Sequence, residues 1–168
     1  MMKKILSGLV IASVIIAGCV KSSNKCSYTD STVIPPSSEI QALKDSLDSN
    51  HITATLNAAG FYYTINQQGT GVAVTNLCSN VSVSYKASFF NGKIFDSTAT
   101  SQVATFQLGQ VIVGWQKGVP LISKGGDITL YIPPTLGYGP NPVNDNSGNV
   151  VIPGNSYLVF KIHLSDIQ

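Results

Sequence analysis

Between Tyr85 and Phe160 the sequence scatters aromatic and aliphatic residues around a single acid: Tyr85, Phe95, Asp96, Val111, Ile112, Trp115, Tyr138, Ile152 and Phe160. No Gly-x-Ser-x-Gly, Cys-x-x-Cys or glycine-rich phosphate loop accompanies them. His51 and His163 stand alone and read as surface residues, His163 on the polar side of its alternation, so neither a metal nor a cofactor is expected. Side chains of this kind do not attack a substrate. They withhold water from it, so the chemistry to expect is the twisting of a bound group. The competing reading is plain core, since a lone Trp among Phe and Tyr residues is usually packing. Asp96 weighs against it, because an acid beside Phe95 in apolar company needs a partner.

The elements that must position these residues are short strands. Val81, Val83, Tyr85, Ala87 and Phe89 alternate with Ser82, Ser84, Lys86 and Ser88, the mark of a half-buried strand. Asn91-Gly92 is a hairpin signal. Ile128, Leu130 and Ile132 alternate until Pro133-Pro134 stops them, and Leu158, Phe160, Ile162 and Leu164 share one face of a last strand. Ile112, Trp115, Val119 and Ile122 have helical spacing, with Pro120 limiting the regular turns to about Gly114–Val119. The fold class expected is α+β: a curved antiparallel sheet wrapped around one short α-helix, over residues 61–168, with an N-terminal helical extension.

That extension is placed at residues 38–60. Ser38 reads as a helix cap with Gln41 as its capping-box partner, followed by Ile40, Leu43 and Leu47 on one face. A second short helix is expected over Thr53–Ala59, with Gly60 just past its end. Both pieces are expected to pack on the domain in preference to forming a dimerisation arm. Residues 19–37, rich in Ser, Asn and Thr and ending in Pro35-Pro36, read as a flexible tether.

Residues 1–18 have the layout of a bacterial secretory signal: Lys3 and Lys4, then an apolar run from Ile5 to Ala17 too short for an ordinary spanning helix. Ala17-Gly18-Cys19 looks like a lipidation site, which predicts a lipid on Cys19 and a membrane tether. Without residues 1–18 the chain has eight lysines, no arginine and eight acids, a balance that argues against nucleic acid as a partner. Cys26 and Cys78 then remain as an even pair in an oxidising compartment. They are read as a disulfide, the alternative being two independent thiols.

Five segments in order carry a resemblance. Tyr85 with Asn91-Gly92-Lys93-Ile94-Phe95-Asp96-Ser97, Phe106-Gln107-Leu108-Gly109, Val111-Ile112-Val113-Gly114-Trp115, Tyr138-Gly139, and Ile152-Pro153 with Leu158-Val159-Phe160 follow one another along the chain. Together they resemble the FKBP-type peptidyl-prolyl cis-trans isomerases. The resemblance implies a pocket for a substrate proline, with Trp115 as its floor and Tyr85, Phe95, Phe106, Val111, Ile112 and Phe160 around it. It implies that Asp96, oriented by Tyr85, lies near the twisting amide. The Ile112 N–H and the Tyr138 hydroxyl would hold substrate carbonyls, and Val151 and Ile152 would flank the groove.

The sequence departs from that pattern in places. Relatives often carry another aromatic near Ala104, so one wall is expected to be thinner. The Gly109–Trp115 connection is short, and the stretch 140–150 is long and expected to hang over the groove. The implied function is rotation of X–Pro bonds in unfolded or partly folded exported polypeptides. The implied place is the bacterial cell envelope, lipid-anchored at the outer membrane and facing the periplasm. A lipid-anchored proline-binding chaperone with little turnover is the first rival, and a structural lipoprotein with a vestigial groove the second.

Overall fold

The computed structural model describes residues 26–168, so the expected leader and Cys19, the expected lipid site, lie outside the described residues. In chain order the elements are α1 (Ser37–Ser49), β1 (Thr55–Leu56), β2 (Tyr62–Gln67), β3 (Asn80–Phe89), β4 (Ile94–Ser97), β5 (Ala104–Gln107), α2 (Val113–Gly118), β6 (Asp127–Ile132), β7 (Val143–Asn144), β8 (Val150–Ile152) and β9 (Leu158–Ile167). The main sheet is antiparallel, ordered β1-β2-β6-β9-β3-β4, with β5 also paired to β3. β7 and β8 form a separate hairpin. Among the described residues no helix is long and apolar enough to cross a membrane.

β3 is the spine of the sheet. One edge pairs with β9 along its length; the other takes β5 first and β4 afterwards. The alternation puts Val81, Val83 and Ala87 wholly inside, and β9 does the same with Leu158, Phe160, Ile162 and Leu164. α2 lies over this inner face and contributes Trp115 to the core, with Val119 beside it. Gly114 and Gly118, one helical turn apart, let it lie close, since a Cβ at either would run into Ile132 or Leu130 of β6. A short 3-10 turn, Val119–Leu121, extends α2 through Pro120.

β6 is buried on both faces, which its alternation does not foretell. The reason is α1, whose Leu43 and Leu47 cover Tyr62 and Tyr131 on the outer side of the sheet. Burying two leucines in this way stabilises the fold by about 1.5–3 kcal/mol each. α1 begins directly after Pro36, and no side chain caps it, so the expected Ser38 cap is not formed. Glu39 instead reaches across the molecule and accepts hydrogen bonds from the Thr135 N–H (3.0 Å) and hydroxyl (2.8 Å).

Two other expectations are corrected. The second helix over Thr53–Ala59 is absent: Thr55–Leu56 pairs as a strand with Tyr62–Tyr63. Gly60, at φ +89°, turns that hairpin instead of ending a helix. β-branched Thr53 and Thr55 and a tight turn outweigh a periodicity this short. The tether expectation also fails from Cys26 onward. Cys26 is disulfide-bonded to Cys78, Tyr28 lies against Gly109, and Pro35 is buried beside Gly60. The segment 26–36 has no regular secondary structure, yet it is held on the domain.

Candidate active site

The site is built where β3, β4, β9 and α2 converge. Ala87 pairs with Phe160 on one side and Asp96 on the other, so a small residue sits between an aromatic ring and an acid. Strict alternation would send adjacent Phe95 and Asp96 to opposite faces. A register shift between Ala87 and Ser88 relieves this, because a bulge re-aims the side chains around it. Phe95 therefore also reaches Phe160, their ring centroids 6.0 Å apart.

Trp115 forms a floor. Tyr85, Phe106 and Phe160 stand on it edge-on, with centroids 5.4, 5.9 and 5.4 Å away and interplanar angles of 83°, 87° and 90°. Perpendicular rings leave a gap above the indole, a hollow of about 270 Å³. Tyr85, Asp96, Phe106, Gln110, Val111, Ile112, Trp115, Tyr138 and Phe160 line it. That volume lies near the ~300 Å³ lower end of small-molecule sites, fit for one ring and its amide. The indole is only 4% exposed, and its Nε1 has no hydrogen-bond partner among the described residues.

Polarity enters at the rim. The Tyr85 hydroxyl donates to Asp96 Oδ2 at 2.6 Å. Burial, followed by the bond to Asp96, pushes the Tyr85 phenol far above the ordinary tyrosine value. Tyr138 is raised for the same first reason and by the charge of Asp96. Both phenols therefore keep their protons at neutral pH and act as donors. Ile112 caps α2: its carbonyl accepts from the Trp115 and Gln116 N–H groups. Its own N–H makes no backbone hydrogen bond among the described residues.

Of the residues singled out from sequence, Tyr85, Asp96, Phe106, Val111, Ile112, Trp115, Tyr138 and Phe160 share this hollow. Three do not line it. Phe95 stands behind, between Phe160 and Phe89. Ile152 is buried in the core, and Val151 opens onto a separate apolar hollow with Phe89 and Phe90, because the β7–β8 hairpin carries both residues away. That hairpin, stiffened by Asp145 accepting from Ser147 and Asn149, contributes nothing to the lining, nor does Ala104. Gln110 lines the hollow unforeseen; its only sequence signal is its place beside Val111. Larger hollows lie on the outer sheet face by Asp127 and His163 and around Cys26 and Tyr28, but none of them is floored by the indole of Trp115.

A family model described as FKBP-type peptidyl-prolyl cis-trans isomerase matches residues 74–165. The chain belongs to this FKBP-type family. The match runs from β3 to Ser165 in β9 and takes in every residue lining the hollow. The FKBP-type chain is 42% identical over 112 residues to the peptidyl-prolyl isomerase FkpA of Buchnera aphidicola from Schizaphis graminum, covering 66% of this chain and 42% of that protein. It is 38% identical over 113 residues to FkpA of Escherichia coli K12, covering 67% of this chain and 39% of that one. The chain thus spans about two fifths of the length of these curated relatives. Among solved structures, E. coli FkpA superposes with a TM-score of 0.65 at 32% identity, over 79% of this chain and 60% of that one. A Pseudomonas syringae peptidyl-prolyl isomerase gives 0.65 at 26% identity, over 82% and 99%.

Proposed function

We propose that the chain catalyses cis–trans rotation about X–Pro bonds in polypeptides. The observation that carries this is the indole floor with three perpendicular rings around it and a Tyr85–Asp96 pair at its rim. Peptide rotation meets a barrier of about 18–20 kcal/mol because amide resonance must break. The planar amide is the more dipolar form, so water favours it over the twisted one. A proline ring seated on Trp115 exchanges water for aromatic edges, and the planar form loses that advantage.

The polar groups select the twisted form. As conjugation breaks, the carbonyl becomes ketone-like and its carbon more positive, which a fixed carboxylate at Asp96 favours. Tyr85 holds that carboxylate in place. The Ile112 N–H and the Tyr138 hydroxyl then receive substrate carbonyls. No proton changes hands, so the site has no need of a histidine.

The substrates on this reading are proline-containing exported chains, unfolded or partly folded. The Cys26–Cys78 disulfide supports an oxidising compartment, and Ala17-Gly18-Cys19 supports a lipid on Cys19 tethering the protein in the cell envelope, at the outer membrane facing the periplasm. Metabolic labelling with a fatty acid tests the anchor: the label should appear on the wild type and vanish with Cys19→Ala.

The second reading, a proline-binding chaperone with little turnover, is favoured by the separate apolar hollow of about 470 Å³ around Phe89, Phe90, Val151 and Tyr157. One preparation separates the two. Acceleration of a short proline peptide at substoichiometric enzyme supports the isomerase; suppression of aggregation without acceleration supports the chaperone.

A further inference from the structure

Two stretches distant in sequence converge on the segment that carries the hollow. From one side, the Gly109 N–H donates to the Leu77 carbonyl at 2.7 Å and the Leu108 N–H to the Ser79 carbonyl at 3.0 Å. Gln107 Nε2 donates to the Cys78 carbonyl at 3.3 Å. From the other side, the Tyr28 hydroxyl donates to Gln107 Oε1 at 3.0 Å. The Tyr28 ring lies so near Gly109 that a Cβ there would run into it. Asp30 pairs with Lys117 Nζ at 2.6 Å, an exposed contact worth little by itself. The Cys26–Cys78 bond ties the two sides together. Gln110, Val111, Ile112 and Trp115 all lie between the points so gripped.

We propose that Cys26–Asp30 is a strap that positions this wall of the hollow, with Tyr28 as its positioning residue. The segment 108–112 belongs to no sheet; beyond its 3-10 turn and the first bonds of α2, it is held by the Leu77 and Ser79 carbonyls at its start and by Gln116 Nε2 donating to the Gly109 and Val111 carbonyls. The Tyr28 ring is what backs Gly109, so without the strap the stretch from Gly109 onward loses that support, and the Ile112 N–H and the floor shift with it. The catalytic part of this inference rests on the isomerase reading; the positional part does not.

Trp115 is the only tryptophan of the chain, so its fluorescence reports on the hollow whether or not the protein turns over substrate. The full disulfide-bonded chain is compared with Tyr28→Ala, Tyr28→Phe and Val33→Ala, the last an exposed position on the same segment. Tyr28→Ala should raise acrylamide quenching of Trp115 in a protein that circular dichroism shows to be folded. Its kcat/KM on a proline tetrapeptide should fall about tenfold, short of the ~100-fold that a 1 Å misplacement can cost. Tyr28→Phe, which keeps the ring on Gly109, should recover most of the loss, and Val33→Ala should match the wild type. Gly109→Ala, which displaces the ring without altering it, should raise quenching likewise. Wild-type quenching in both Tyr28→Ala and Gly109→Ala overturns the strap. A wild type without turnover overturns the isomerase reading alone, because quenching still decides the strap.

Discussion

Trp115 buries an N–H that has no acceptor among the described residues, an arrangement that costs about 1–3 kcal/mol. Trp115→Phe removes that cost and leaves a smaller ring, so the cavity penalty is partly offset. Urea unfolding should show a loss of about 2 kcal/mol or less. Turnover of a proline peptide should fall far more steeply than stability does. The phenols make a second prediction. Burial raises Tyr85 and Tyr138 above the usual tyrosine pKa of about 10, so the folded state binds their protons more tightly than the unfolded state. Their contribution is fully present below pH ~10 and is lost as pH rises beyond it. Thermal unfolding from pH 9 to 11.5 should show a falling midpoint, with a shallower fall in Tyr85→Phe. Most of these residues were legible because their types and order are unusual. That Phe95 and Asp96 both reach Phe160's side of the sheet was not, since the bulge responsible leaves no mark in the alternation.

At the scale of elements, the floor's height depends on glycine. Gly114→Ala would drive a Cβ into Ile132, an overpacking that costs about 1–3 kcal/mol, against about 1 kcal/mol gained in helix propensity. The expected outcome is a modest net destabilisation with Trp115 fluorescence altered, read by denaturant titration and emission spectrum. The strands and α2 could be read from periods of two and of 3.6, because one face of each meets the same core. The buried outer face of β6 could not, because α1 covers it from far away in sequence. Glu39, whose carboxylate holds Thr135 three residues before Tyr138, was hidden for the same reason. The 53–59 stretch shows the opposite failure: a local pattern suggested a helix, and pairing with Tyr62–Tyr63 decided otherwise.

Over the described residues the protein is a sheet clasped by the stretch 26–36. The Cys26–Cys78 bond spans a separation of 52 residues, which in the chain-entropy model stabilises the fold by about 4 kcal/mol. Reduction under non-denaturing conditions should lower the urea midpoint accordingly, and a Cys26→Ser/Cys78→Ser variant should lose the sensitivity to reductant. Two cysteines left once Cys19 is set aside as a lipid site pointed to this bond; the seating of Tyr28 and Pro35 on the domain did not show in a composition that reads as a linker. The isomerase reading depends on the aromatic hollow over Trp115, and its most direct test is the cis-to-trans rate of a short proline peptide with catalytic amounts of wild type, Asp96→Ala or Trp115→Phe. Acceleration by the wild type, reduced at least tenfold in both variants while their circular dichroism stays native, is the predicted result. Variants that accelerate the peptide as well as the wild type would contradict it.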